Sequence, residues 1–179
     1  SGAWNFGLYH ALNKLNCDKF LICNNDEIIN PEAIEILCKK LDEKNIVMAT
    51  ATDISGKVIV AEDVLTADIP EKEELTENPD FSCFMIKTET IEKIGYFDEK
   101  FYPAYFEDND YHHRIKLAGL KAVKTNRALY YHYGSRTKQQ GGQIAMFVND
   151  GYLNNREYYR EKWGGLPGEE TYLTPFNKK

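Results

Sequence analysis

The stretch KFLICNNDEIINPEAIEILCKKLDEKNIVMATAT, residues 19–52, decides the fold class. It begins with a short apolar run that stops abruptly at polar residues, which is typical of a buried strand. The segment NPEAIEILCKKLDEKN follows, with proline in its first turn, acids early and lysines late, and it predicts a helix. IVMATAT then predicts a second buried strand. Strand, helix and strand in this order favour an α/β domain with a largely parallel sheet.

The rest of the chain continues this alternation of helices and strands. We predict helices for residues 1–16, 88–95, 106–119 and 138–163, and strands for residues 55–62, 81–87, 121–126 and 128–135. Residues 62–80 are acidic and contain proline, which indicates a surface loop. We treat residues 1–179 as a single domain, since a chain of this length can bury one core.

Composition excludes some classes of partner. The net charge of the 179 residues is −6 and no basic stripe is present, so we expect no binding to nucleic acid. No apolar run is long enough to span a membrane and no signal peptide is evident. The four cysteines are scattered, which favours buried free thiols. Together these features lead us to expect a cytoplasmic protein.

Polar residues close the first strand, at Asn24, Asn25 and Asp26. In α/β sheets, ligands bind at the carboxyl ends of strands. A hard divalent cation takes oxygen ligands, often one or two carboxylates with phosphate oxygens and water, and Asp26 is able to supply the carboxylate. The alternative is a polar turn, in which these side chains bond their own backbone.

A second acidic cluster lies in YFEDNDYHHR, residues 105–114. Three carboxylates, those of Glu107, Asp108 and Asp110, fall at a predicted helix start, where the helix dipole favours them in any case. A rigid helix start beside apolar walls is also a suitable place for a general base, and Asp108 is the best placed for it. Asp110 and Arg114 are four residues apart, so we interpret them as a structural pair.

The third candidate is His132, in the predicted strand that ends at a Gly-Ser turn. A strand histidine is often only packed and hydrogen-bonded, but it is also a common metal ligand and a good partner for a diphosphate. The adjacent pair His112 and His113 has no zinc-type spacing, so we do not expect a structural zinc site.

Six segments occur in an order that resembles the family 2 glycosyltransferases, which have the GT-A fold and use nucleotide-sugar donors. Within that family the chain is most similar to rhamnosyltransferase-type members that build bacterial surface polysaccharides. The segments are GAWNFGLYHAL, FLICNNDEIINPEAIEIL, FSCFMIKTETIEKIGYFDEKFY, YFEDNDYHHRIKLAGLKA, ALYYHYGS and YYREKWGG. The resemblance covers nearly the whole chain.

The resemblance implies roles for particular residues. It implies that Asp26 and His132 bind Mn²⁺ or Mg²⁺ near the donor diphosphate, with Asp108 as base and Glu107 supporting it. It also assigns six residues to nucleotide-sugar binding: Asn5, Gly7, Asn24, Asn25, Cys83 and Phe84. The expected activity is inverting transfer of a sugar to a saccharide or lipid-linked acceptor.

One departure from the family pattern concerns the start of the chain. Family members begin with a strand and helix before GAWNFG, so we expect an N-terminally truncated GT-A-like sheet, mostly parallel though mixed. Two possibilities stay open: that a second chain supplies that region, and that the protein makes peripheral contact with the inner membrane face. Two other functions were weighed. One is a non-catalytic glycan-binding or scaffold subunit, and the other is a sugar-nucleotide pyrophosphorylase, whose N-terminal Gly-rich basic loop is not found here.

Overall fold

The structure is a computed structural model that describes residues 1–134 and 141–178. It shows a mixed α/β fold in which helices flank a mixed sheet of six strands. The helices are α1 (Gly2–Lys14), α2 (Ala33–Lys40), α3 (Thr88–Ile94), α4 (Glu107–Leu117) and α5 (Gly142–Trp163). The strands are β1 (Lys19–Cys23), β2 (Glu27–Ile29), β3 (Ile46–Asp53), β4 (Leu75–Thr76), β5 (Cys83–Lys87) and β6 (Lys121–His132). Two short 3₁₀ turns lie at Ala61–Thr66 and Pro175–Asn177.

The sheet is less parallel than the sequence predicts. Its strands lie in the order β1-β5-β3-β6-β2, with β4 also pairing with β6. Across the described residues only the β3–β6 pairing is parallel, so the prediction of a mostly parallel sheet is wrong. A parallel partner for β3 needs a crossover back to the other end of the sheet, usually a helix. The segment 54–82 contains only a 3₁₀ turn and β4, so β5 starts where β3 ends and runs back beside it.

This topology still places several strand ends along one edge of the sheet. Because β1 and β3 are both antiparallel to β5, and β6 is parallel to β3, these three strands point the same way. Their carboxyl ends, at Cys23, Asp53 and His132, therefore share one edge. The amino ends of β2 and β5 lie there too, because Glu27 pairs with His132 and Cys83 with Cys23. We call this the site edge.

Several predicted boundaries need correction. The strand predicted at 55–62 is a turn followed by the 3₁₀ turn, and Ile59 is 97% exposed because it has no sheet neighbour. The strands predicted at 121–126 and 128–135 are one continuous strand, β6, which pairs with β3, β2 and β4 in turn. Residue 135 of the predicted strand and residues 138–140 of the predicted last helix lie outside the described residues.

Apolar side chains cover both faces of the sheet. On one face α1, α3 and α4 pack on alternate residues of the strands, including Met48, Phe84 and Ile86. On the other face α2 packs Leu37 and Leu41 against the intervening residues. A strand covered on both faces reads as a continuous apolar run, which explains why FLIC and FMI show no alternation. All four cysteines are free thiols, as predicted, but only Cys83 is buried, so the prediction that they are buried is wrong for the other three.

The buried carboxylate of Asp110 joins α4 to α5. Asp110 is fully buried, and its Oδ2 accepts from Nε of Arg114 at 2.9 Å, as the sequence spacing predicts. Its Oδ1 accepts from the indole N–H of Trp163 at 2.8 Å and lies 2.6 Å from Nζ of Lys162. Lys162 also reaches Asp98, at 2.7 Å. Two cations and an indole donor thus satisfy one carboxylate that has no contact with solvent.

Replacing Asp110 by asparagine should destabilise the fold strongly. The change leaves Arg114 beside a neutral group and leaves Lys162 with Asp98 as its remaining carboxylate partner. Breaking a buried ion pair in this way costs about 3 to 5 kcal/mol. Urea denaturation of Asp110→Asn measures the loss in unfolding free energy. Glu35→Gln is a matched control, because the Glu35–Lys39 pair is exposed and no change in stability is expected. Equal stability of wild type and Asp110→Asn would contradict this account.

Candidate functional site

A cleft of about 570 Å³ lies at the site edge. Its walls are formed by residues at the ends of strands, the loop before α4, the first two residues of α4, and one residue each of α1 and α5. We call it the site-edge cleft, and its lining residues are Trp4, Asn24, Asn25, Asp26, Asp80, Phe81, Ser82, Pro103, Ala104, Tyr105, Glu107, Asp108, His132 and Val148. The cleft therefore brings together both predicted acidic clusters and the predicted histidine.

Asp26 and His132 lie side by side in this cleft. Nε2 of His132 is 3.2 Å from Oδ1 of Asp26, and the two side chains are 21% and 33% exposed. The sheet fixes this arrangement, because β2 pairs with the last residues of β6 and the N–H of Tyr133 donates to the carbonyl of Asp26. Within residues 1–134 and 141–178, no group of three or more His, Cys, Asp and Glu side chains is close enough to hold a metal ion by itself. Any cation here would depend on ligand and water oxygens for the rest of its shell.

The loop before α4 positions Glu107 and Asp108. Tyr105 and Phe106 both have left-handed backbone angles, with φ of 77° and 72°, which cost a non-glycine residue about 1 to 3 kcal/mol each. The buried side chain of Asn155, on α5, holds this loop by donating to the carbonyls of Ala104 and Tyr105 at 2.9 and 3.1 Å. The left-handed pair turns the chain into α4 so that its first two carboxylates face the cleft.

The environment of these two carboxylates favours their protonated forms. Burial, reinforced by the adjacent charge of Asp108, raises the pKa of Glu107 to about 7. Burial also raises the pKa of Asp108, and backbone N–H groups of Asn109 and its neighbours oppose the rise. One carboxylate oxygen of Glu107, Oε2, is buried and accepts no hydrogen bond from the described residues. A carboxylate whose pKa is raised by burial is a stronger base than an ordinary carboxylate, which suits it to taking a proton from a substrate hydroxyl.

Four predicted site residues lie outside the cleft. Cys83 and Phe84 are fully buried in β5, because their side chains lie on opposite faces of the sheet and each packs in the apolar core of its face. Asn5 braces α1, because its amide donates to the carbonyl of Phe97 and its carbonyl accepts from the N–H of the same residue. Gly7 lies on the same helix beside β1. Asn24 and Asn25, by contrast, line the cleft.

Sequence reasoning missed Asp80, which lies shortly before β5 and lines the cleft together with Ser82. Asp80 forms a turn by accepting from the N–H of Ser82 at 3.0 Å, and its own N–H donates to the hydroxyl of Thr50 at 3.0 Å. An aspartate two residues before a serine at a strand start is a recognisable turn signal. It was overlooked because residues 62–80 read as an undivided acidic loop.

Comparison with known proteins gives one partial match. No family model matches the chain. A galactofuranosyl glycosyltransferase from Leishmania donovani is 31% identical over 85 residues, which are 47% of this chain and 19% of that protein. The match therefore spans about a fifth of the relative. Of the helices described here, none is both long and apolar enough to cross a membrane.

Glu27, which follows Asp26, is a carboxyl group at the site edge whose surroundings disfavour its charged form. Burial raises its pKa to about 8, and the charges of Asp26, Asp80 and Asp53 add to the effect. No described cation forms a salt bridge with it. A carboxyl whose pKa is raised on folding favours the folded state only while it is protonated, so its contribution is complete below about pH 4.5 and is lost as pH rises through about 8.

Glu27→Gln should therefore become more stable relative to wild type as pH rises. The two proteins should have equal free energies of unfolding near pH 4. Above pH 8 the free energy of unfolding of the variant should be larger by about 1 to 2 kcal/mol, a figure reduced because solvent reaches part of the Glu27 side chain. Denaturant unfolding at several pH values measures the difference. The exposed Glu161→Gln is the control and should show no such trend. A pH-independent difference for Glu27→Gln would contradict the assigned environment.

Proposed function

We propose that this chain carries the catalytic site of an inverting glycosyltransferase, which moves a sugar from a nucleotide-sugar donor to a hydroxyl of a saccharide or lipid-linked acceptor. The observation that carries the proposal is the meeting of Asp26, His132 and Asp108 in one cleft at the site edge. The similarity to a protein named as a galactofuranosyl glycosyltransferase supports glycosyl transfer in general. The GT-A fold and membership of family 2 remain part of the proposal.

A divalent cation fits the Asp26–His132 pair. One carboxylate and one imidazole, 3.2 Å apart and both reached by solvent, suit a cation that takes its other ligands from a diphosphate and water. Imidazole with carboxylate is a set that Mn²⁺ accepts, and Mg²⁺ is the alternative. When bound, the cation would offset negative charge on the diphosphate leaving group. Asn24 and Asn25, beside the pair, offer amide groups to the donor.

Asp108 is the proposed general base. Its carboxylate accepts the proton of the acceptor hydroxyl as the hydroxyl oxygen forms a bond to the anomeric carbon. The bond from that carbon to the diphosphate oxygen breaks in the same step, and its electron pair leaves with the nucleoside diphosphate. One in-line displacement inverts the anomeric carbon, so no protein nucleophile is required. The free Oε2 of Glu107 is placed to accept a hydrogen bond from a substrate hydroxyl.

Two expectations, one about a partner segment and one about cellular location, remain predictions. The outer edge of β1 has no partner strand among the described residues, and a second polypeptide segment supplying more of the nucleotide pocket would pair there. Location in the cytoplasm, with or without peripheral contact at the inner membrane face, is the other.

Nucleotide binding should depend on Asp26 and on a cation. We expect calorimetric titration with UDP, dTDP or GDP to show binding to wild type in Mn²⁺, and binding at least about tenfold weaker without Mn²⁺ or in Asp26→Ala. Asp150→Ala, an acidic residue of α5 that does not line the cleft, should bind like wild type. Nucleotide binding that is equally strong without Mn²⁺ and in Asp26→Ala would refute this donor site. If the chain binds glycans but binds none of these nucleotides, the non-catalytic subunit is favoured instead.

Sugar transfer should require the carboxylate of Asp108. Loss of a general base lowers rates by about 100- to 10,000-fold, so Asp108→Asn should lose transfer to that extent while still binding nucleotide. Glu107→Gln should keep part of the rate. Product formation from a nucleotide-galactofuranose donor is the assay to try first, given the relative's name. If Asp108→Asn transferred sugar at the wild-type rate, the base would have to be another group.

A further inference from the structure

A second opening lies on the α5 side of Asp108. This opening, the α5 pocket, has a volume of about 430 Å³ and is lined among others by Tyr105, Asp108, Asn109, Tyr152, Arg156 and Glu169. It shares Tyr105 and Asp108 with the site-edge cleft, whereas Asp26 and His132 line only the cleft. The proposed base therefore stands between two separate openings.

We propose that the α5 pocket binds the acceptor, and that the acceptor is a neutral saccharide. This inference rests on the proposed function. An in-line displacement needs the attacking hydroxyl to arrive opposite the leaving group. With the diphosphate held near Asp26 and His132, an acceptor in the α5 pocket reaches Asp108 from the other opening.

The lining of the α5 pocket has the chemistry of a sugar site. Tyr152 is 42% exposed and stands edge-on to Tyr105, with ring centroids 5.6 Å apart, so part of its ring is open to a ligand. An aromatic ring offers an apolar surface to the C–H groups of a sugar ring. Beside it, Arg156 donates, Glu169 accepts, and Asn109 does both, which suits hydroxyl groups.

Charge distinguishes the class of saccharide. Apart from the two tyrosine phenols, the ionisable groups that line the pocket are two carboxylates, Asp108 and Glu169, and one guanidinium, Arg156. With all three ionised the lining carries one net negative charge. Arg156 is already paired with Glu157, at 3.2 Å. A phosphorylated or uronic acceptor would meet repulsion here, and a neutral one would not.

The strained loop and α5 keep the pocket in shape. The side-chain amide of Asn155 donates hydrogen bonds to the carbonyls of Ala104 and Tyr105. Gly151 lets α5 approach the loop so closely that a Cβ at this position would lie 2.2 Å from Cδ of Pro103. Tyr152 and Arg156 are neighbours of these contact residues on the same helix. Their positions relative to Asp108 are therefore fixed by packing rather than by an unsupported loop.

Saturation-transfer NMR with methyl glycosides tests the proposal. The probes are the methyl glycosides of galactose, mannose and rhamnose, with methyl glucuronide as the anionic probe. We expect at least one neutral glycoside to bind, with the strongest saturation on its ring C–H protons, and the glucuronide to bind more weakly. Tyr152→Ala and Arg156→Ala should each weaken binding at least about fivefold. Tyr9→Ala, which removes an exposed tyrosine on α1, is the control and should have no effect.

The outcomes separate this inference from the proposed function. If no neutral glycoside binds, if binding is the same in both α5 variants, or if the glucuronide binds best, the acceptor assignment is wrong. Nucleotide binding that still needs Asp26 would then leave the transferase proposal standing. If glycosides bind through Tyr152 but no nucleotide binds, the pocket is a glycan site and the transferase proposal fails.

Discussion

The rest of the structure depends on the buried carboxylate of Asp110. It compensates Arg114 on its own helix and Lys162 on α5, and it accepts the indole N–H of Trp163. Since a buried charge without partners is very costly, the helices are held in the one arrangement that pairs it. Glu107 and Asp108, three and two residues before Asp110, begin the same helix. The position of the proposed base therefore follows from a group that takes no part in the chemistry.

The sheet supplies the other half of the site. Although four of its five described pairings are antiparallel, β1, β3 and β6 still end at one edge. The polar residues after β1 and the last residue of β6 therefore meet, as Asp26 and His132 do at 3.2 Å. The proposed donor site extends to this mixed sheet a rule written for parallel sheets, that ligands bind at the carboxyl ends of strands. The extension requires only that β1 and β6 point the same way, as they do.

Sequence reasoning predicted the helices and the residues that meet in the cleft. It failed where long-range packing determines the direction of a strand or the burial of a side chain. The spacing of Asp110 and Arg114 identified their pair, and the order of motifs brought Asp26, Asp108 and His132 together before any coordinates. The direction of β5 depends on how residues 54–82 return, which no local pattern encodes. Cys83 and Phe84 were placed beside the donor, but a strand covered on both faces buries them, and only the residues just before it line the cleft. Asn5 was assigned to the nucleotide from the family resemblance alone. Its hydrogen bonds to Phe97 join residues 92 positions apart, so no local pattern could reveal them.

We propose above that the site edge holds the metal–diphosphate end of the donor. The most direct measurement is ¹H NMR of the four histidine imidazoles during titration with Mn²⁺ in the presence of UDP, since the paramagnetic ion broadens the signals nearest to it. The account predicts that the His132 signals broaden first and that those of His10, on α1, persist. Broadening that begins at His112 and His113, or that leaves His132 sharp throughout, would contradict the account.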